Sequence, residues 1–200
     1  TEGHRKLQGA LQRAPLNPKV QRLAARFYTE VNIPDSLNHW QLVISAPNAS
    51  VEDKLAYVDA CLKFLRADLA SAELNSMEPT ISKSPDFLRR VVRYLILVGD
   101  FSGAVPYARE AQVINPRDEE FEFLLGLSLL RAARPDWVQE GRRLLMGISL
   151  VSGAQQLPAA RELIATGALS AAEGRQIARA LERRTDLQFS DRLEIAGLRM

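Results

Sequence analysis

The sequence predicts an all-α fold, and three observations carry that prediction. Alanine and leucine are abundant while aromatic residues make up only 6%, a balance that favours helices over sheets. Apolar residues recur at helical spacing along most of the chain. Between these stretches stand Asn-Pro, Ser-Pro and Gly-Asp pairs, which suit the starts and stops of helices. With 200 residues and 46% hydrophobic content, the chain can bury a substantial core, as one domain or as an elongated array.

The first predicted helix covers residues 5–14, with Leu7, Ala10 and Leu11 inward. Asn17-Pro18 then offers a cap and a first-turn proline for a helix to about Glu30, striped by Val20, Leu23, Ala24 and Phe27. After Ile33-Pro34-Asp35-Ser36, Leu37, Trp40, Val43 and Ile44 stripe the next. Ser50-Val51-Glu52-Asp53 has the form of a capping box with Asp in place of Glu. Leu55, Val58, Cys61, Leu62 and Leu65 follow on one face. No glycine marks a turn between Cys61 and Arg66, so one long helix competes here with a pair. In the paired reading, Ala67, Leu69, Ala70 and Leu74 belong to a second helix that ends before Met77-Glu78-Pro79.

Residues 84–116 form the clearest unit. Ser84 suits a helix cap, Pro85 has no N–H to leave unpaired, and Asp86 suits the positive helix end. Leu88, Val91, Val92 and Leu95 stripe this helix, and Gly99-Asp100 stops it, because glycine takes a left-handed backbone without steric cost. Phe101, Ala104, Ala108 and Ala111 stripe a second helix, with Pro106 assigned to its first turn. Asn115-Pro116 is expected to cap the next one. Its first turn carries Asp118, Glu119 and Glu120, and its body, Phe121 to Leu130, is apolar nearly all round. Val138, Leu144, Leu145 and Ile148 stripe a helix after Arg134-Pro135. Gly147 to Gln156 reads as the most linker-like stretch. Ala159 to Thr166 and a helix capped by Ser170 and Glu173 form another pair. A last helix runs from Asp186 to Arg199, with Leu187, Leu193, Ile195 and Leu198 inward.

Leu88, Val91-Val92, Leu95, Gly99-Asp100-Phe101, Ala104, Ala108, Ala111 and Pro116 together resemble the tetratricopeptide repeat, whose period is about 34 residues. Leu125-Gly126 matches the Leu-Gly pair of that family. Pro15, Pro47, Pro79 and Pro116 recur at intervals that bracket the period. The resemblance implies an α-α superhelix, a right-handed solenoid of antiparallel helix pairs. Residues 1–152 would be repeats and 153–200 a further degenerate repeat with C-terminal helices, continuous with the first part. In this reading the chain begins on a second helix and ends on a first, as a segment of a longer solenoid would.

In such a solenoid the first helix of each unit lines a concave groove. The resemblance therefore places Arg89 and Arg93, flanked by Arg90, on that surface, with Glu52, Ala56 and Asp59 before them and Phe123 and Leu127 after. Paired arginines suit a carboxylate, and the apolar pair suits an anchoring side chain. The implied function is a non-catalytic scaffold that binds a peptide or protein partner. The alternative is a helical accessory domain of a larger enzyme or secretion assembly. A homodimer through the terminal segment, Asp186 to Met200, is a further expectation.

Other chemistry finds little footing. A net charge of +2, from 26 basic and 24 acidic residues, argues against bulk attraction to nucleic acid or an anionic membrane. No apolar run approaches the roughly 20 residues that span a bilayer. His4 and His39 are far apart in sequence and lack ligand spacing, so no metal site is expected, and no cofactor. Cys61, the one cysteine, excludes an intrachain disulfide and reads as an inert core residue. The glycines form no phosphate loop. Arg131/Arg134, Arg142-Arg143 and Arg183-Arg184 read as solvated helix faces, and Trp40 and Trp137 as plugs between helices. The sequence starts at Thr1 and assigns no compartment.

Overall fold

The computed structural model describes residues 2–167 and 169–198, apart from the side chains of Pro79, Phe189, Leu193 and Glu194. Among these residues it contains twelve helices and no strand, so the protein is all-α. Among the described residues, no helix is long and apolar enough to cross a membrane. The chain divides into two units, one ending at Val98 and the other starting at Gly99.

The first unit holds α1 (Glu2–Arg13), α2 (Pro18–Glu30), α3 (Ser36–Ile44), α4 (Val51–Lys63), α5 (Ala67–Ile81) and α6 (Pro85–Leu97). Each packs on the next in the chain, and α4 also packs on α6. Asn17 caps α2 through Lys19 N–H, and Ser50 with Asp53 closes a complete capping box on α4. Ser84 stands at the start of α6 with extended backbone but makes no side-chain cap bond. The main core joins Leu37, Trp40 and Val43 to Leu55, Val58, Cys61, Ala70, Leu74, Met77 and Phe87. A smaller cluster unites Leu7, Ala24 and Tyr28.

The second unit holds α7 (Phe101–Ile114), α8 (Glu119–Arg131), α9 (Pro135–Leu150), α10 (Gln156–Ala165), α11 (Ala171–Leu181) and α12 (Phe189–Gly197). Helix α8 is covered by α7, α9 and α10, which accounts for its apolar character on every side. Its crossing with α9 is set by two glycines. A Cβ on Gly141 would lie 2.7 Å from Gly126 O and from Leu130 N. The buried residues of α7 are Ala104, Val105, Ala108 and Ala111.

A backbone periodicity runs through the chain. Among the described residues, those with positive φ are Asn32, Leu65, Gly99, Ala133 and Gly167, at successive separations of 33, 34, 34 and 34. Each ends every second helix, namely α2, α4, α6, α8 and α10. In two of these turns the bonding pattern is complete. Ile33 N–H donates to Tyr28 O at 2.8 Å, and Arg66 N–H donates to Cys61 O at 2.8 Å, the six-residue closure of a left-handed helix cap.

The structure corrects several local expectations. Leu65 turns the chain between α4 and α5 with φ 57°, so one long helix does not form there. Helix α5 continues to Ile81, through position 79, so the prolines do not mark the period. The inward face of α2 is Gln21, Ala24, Ala25 and Tyr28, rotated by one residue from the expected stripe, and Leu23 is exposed. Gln21 turns inward because its amide donates to Pro15 O and its carbonyl meets His39 Nδ1. Pro106 lies in the second turn of α7, exposed to water. Asp118, not Asn115, caps α8, accepting from Glu120 and Phe121 N–H. Trp40 is buried as expected, but Trp137 lies partly exposed beneath the Arg134 guanidinium, 4.1 Å from the ring centre. Helix α12 is shorter than expected. The expected inward Leu193 side chain, and Arg199 and Met200 of the suggested dimer segment, lie outside the described residues.

Candidate functional site

The neighbouring helices α4 and α6 carry the arginine-rich part of the expected surface. Helix α6 brings Arg89, Arg90 and Arg93 to one side because they recur three and four residues apart. Helix α4 brings Asp59 to meet them. Arg90 is held at three points. Its Nε donates to Leu55 O at 3.1 Å, Nη1 to Asp86 O at 2.6 Å and Nη2 to Asp59 Oδ2 at 2.5 Å. Arg93 Nη1 stands 3.8 Å from Asp59 Oδ1, and Arg89 Nη1 donates to Asp86 Oδ1 at 3.2 Å.

Asp59 and Asp86 thus each engage two of these guanidinium groups. Asp59 is the pivot, lying between Arg90 and Arg93. Glu52 is exposed at the start of α4, and Ala56 is half-buried against the core. A carboxylate arriving from outside would add to an array already partly neutralised. Its gain is therefore smaller than at a bare arginine pair, and its geometry better fixed.

Phe123 and Leu127 lie on α8 in the second unit, both half-buried. Phe123 packs against the core formed by Leu145, Ile148, Ala159, Leu163 and Ile177. They present a partly covered apolar edge on their own unit.

Sequence reasoning treated the acidic residues mainly as helix starts and missed their second partners. Arg22 of α2 bonds Asp53 of α4, Arg109 of α7 bonds Glu140 of α9, Arg131 of α8 bonds Glu162 of α10, and Arg142 of α9 bonds Glu173 of α11. In every one of these pairs the two residues are 31 apart. Arg161 of α10 and Asp191 of α12 continue the series at a separation of 30. Asp59 and Arg90 repeat it with the charges exchanged. The signal that could have found these pairs was present: arginines followed by carboxylates at one recurring interval.

The loop between α9 and α10 is tied on both sides. Glu119 Oε1 accepts from Gln155 N–H at 3.1 Å, and Arg184 Nη1 donates to Gly153 O at 2.9 Å. A Cβ on Gly153 would fall against the Glu119 carboxylate, so a larger residue there would make that side chain shift. The basic clusters are likewise engaged: Arg131 and Arg142 hold carboxylates, Arg134 covers Trp137, and Arg184 grips Asp186 at 2.5 Å.

Groups suited to other chemistry are held inert or distant. Burial pushes the Cys61 thiol up to about 11 and the Tyr57 hydroxyl up to about 12. Both histidines meet one tyrosine: His4 and His39 rings lie 6.0 and 5.2 Å from the Tyr28 ring. Among the described residues, no group of three or more His, Cys, Asp or Glu is placed to hold a metal ion. Comparison with protein-family models and with curated proteins finds no match for this chain.

Proposed function

We propose that the protein is a tetratricopeptide-like solenoid that acts as a non-catalytic scaffold, binding a peptide or protein partner along the inner wall of its helix pairs. The observation that carries this reading is the recurrence of left-handed helix ends at positions 32, 65, 99, 133 and 167. A turn repeated at that interval on every second helix is what a stack of two-helix units requires. The arginine–carboxylate pairs that join α2 to α4, α4 to α6, α7 to α9, α8 to α10, α9 to α11 and α10 to α12 support the same repeat.

On this reading Arg89, Arg93 and Asp59 supply a polar binding surface on the first unit, and Phe123 and Leu127 an apolar one on the second. The partner is an extended or helical segment that offers an acidic residue to the first and an apolar anchor to the second. Selection of displayed peptides against the immobilised chain tests the idea. Enriched sequences should share that acidic and apolar pattern. Arg89→Ala with Arg93→Ala should weaken their binding at least tenfold while helicity and Tm stay nearly constant. Enrichment of no common pattern, or binding indifferent to both substitutions, would remove the reading.

A further inference from the structure

We infer that the hollow between α9 and α11 binds a small free carboxylate with a short apolar body. The hollow measures about 270 Å³ and is lined by Gln139, Arg142, Arg143, Met146 and Glu173. It lies within the second unit and shares no residue with the surface proposed for a partner. Both of its walls have neighbours on either side: α9 packs on α8, α10 and α11, and α11 packs on α9, α10 and α12. Gln139, Arg142, Arg143 and Met146 stand at i, i+3, i+4 and i+7 along α9, so they share one face of that helix.

The donors in this hollow are unevenly used. Arg22, Arg109 and Arg131 each bring two nitrogens to their carboxylates. Arg142 brings one, Nη2 to Glu173 Oε2 at 2.5 Å, and its Nε is buried with no hydrogen-bond partner. The same Glu173 oxygen also accepts from Ser170 N–H at 2.8 Å and from the Ser170 hydroxyl at 2.6 Å. Arg143 is exposed and, among the described residues, makes no hydrogen bond or ion pair. A buried donor without an acceptor is costly. Arg142 is only half-buried, so a swing of its side chain brings that donor to an incoming oxygen.

Charge and size select the ligand. The Ser170 hydrogen bonds, with Arg142 adding to them, hold the Glu173 carboxyl below the usual carboxylate range, so Glu173 is ionised at neutral pH. Two guanidinium groups and one carboxylate therefore line the hollow, and a single negative charge balances them. A dianion would meet Glu173 uncompensated. The planar guanidinium fork matches a carboxylate, the Gln139 amide offers a further donor, and the flexible Met146 thioether suits a short apolar body. The volume lies just below the roughly 300–1,000 Å³ of ordinary small-molecule sites, which excludes a helix or a folded segment as the occupant.

The test uses the full chain with isotope-labelled methionine methyl groups. The methionines are Met77, Met146 and Met200, and Met146→Leu identifies the signal of interest by NMR. Propionate and butyrate, added at constant ionic strength, should move the Met146 signal saturably and leave that of Met77 in place. Propionamide and butyramide should move neither. Arg143→Gln should weaken butyrate binding at least fivefold. Glu173→Gln should tighten it at least threefold, because the amide keeps the cap on α11 while the competing charge is gone. A response that stays linear in concentration, or is equal for acid and amide, would overturn the inference. So would indifference to Arg143→Gln, or weakening by Glu173→Gln. Inorganic phosphate binding more tightly than butyrate would also overturn it, by marking the hollow as a site for dianions.

Discussion

Arg22 and Asp53 lie 31 residues apart and meet through two parallel bonds, Nε to Oδ1 at 2.6 Å and Nη2 to Oδ2 at 2.5 Å. Asp53 also accepts from Ser50 N–H, so one carboxylate both closes the start of α4 and fastens α4 to α2. The arrangement recurs in the second unit. Glu173 accepts from Ser170 N–H and from Arg142, and Asp191 accepts from Gln188 N–H and from Arg161. Exposed ion pairs contribute little to stability, about 0–1 kcal/mol each. The more exposed pair Arg109–Glu140 therefore serves mainly to fix register. The pairs ending on Asp53 and Asp191, which are 3% and 1% exposed, carry more, because a buried carboxylate without its cation is costly.

Asp53→Asn separates charge from shape. The amide retains the size of the carboxylate and leaves Arg22 facing a neutral group, so unfolding free energy should fall by about 2–3 kcal/mol. Ser50→Ala, which removes only the cap, should cost about 1 kcal/mol. The pH dependence distinguishes the two. The Arg22 hydrogen bond holds the Asp53 carboxyl below its usual range. The unfolded carboxyl protonates near pH 4 and the folded one at lower pH. The stabilisation is thus present above about pH 4 and is lost as pH falls through the folded value. Urea titrations between pH 3 and 7 should show that Asp53→Asn removes part of this acid loss. An unchanged acid limb would mean that Asp53 is not the group responsible.

Leu65 holds a left-handed backbone at φ 57° with its side chain 71% exposed. A Cβ in this region costs roughly 1–2 kcal/mol, partly offset by the greater unfolded-state freedom of glycine. Leu65→Gly should therefore stabilise the protein by about 0.5–1 kcal/mol, and Ala133→Gly should do the same. Asn32→Gly should gain less, since asparagine tolerates this conformation. Thermal melts of the three variants give the order directly, and destabilisation by Leu65→Gly would contradict the assigned turn.

The helical class and most inward faces were legible because alternating burial leaves a period in the sequence. Leu37, Trp40 and Val43 follow it, as do Ala104, Ala108 and Ala111. The capping boxes at Ser50 and Ser170 were legible for a similar reason, since both partners lie within four residues. What escaped was set by tertiary packing. The turn at Leu65 is imposed on a residue that does not favour it, so no glycine announced it. The face of α2 was misjudged because Gln21 is buried through bonds to Pro15 and His39, two partners that hydropathy does not register. Arg89, Arg93 and Asp59 were expected side by side, but the bonds of Arg90 to Leu55 O and Asp86 O depend on how α6 lies across α4. The 31-residue pairs were written in the sequence, yet a carboxylate in a first turn has a sufficient local explanation and invites no search for a distant cation.

His39 couples the first unit to mild acid. Its ring packs on Tyr28 and its Nδ1 meets Gln21 Oε1 at 2.5 Å, and burial lowers its affinity for a proton. The unfolded imidazole binds a proton near pH 6.5 while the folded one resists it, so the unfolded state takes up more protons as pH drops below that point. Stability should decline from pH 7 toward pH 5 and level off once the folded imidazole is also charged. Tm measured over that range should show this slope in the wild type and a shallower one in His39→Gln. Equal slopes would assign the effect to another group.

Two glycines of α9 should respond to the same substitution with opposite signs. Gly141 faces α8, and a methyl group there would stand 2.7 Å from both Gly126 O and Leu130 N. These are backbone atoms that cannot rotate aside, so Gly141→Ala must push the two helices apart, at a cost of about 1–3 kcal/mol. Gly147 has nothing within 4 Å of its added Cβ and is exposed on the same helix. There the substitution only removes backbone freedom from the unfolded chain, and Gly147→Ala should stabilise by about 0.5–1 kcal/mol. Both variants have the same composition, so a difference in chemical denaturation midpoint isolates the contact between α8 and α9. If Gly141→Ala were neutral, that close approach would not exist in solution.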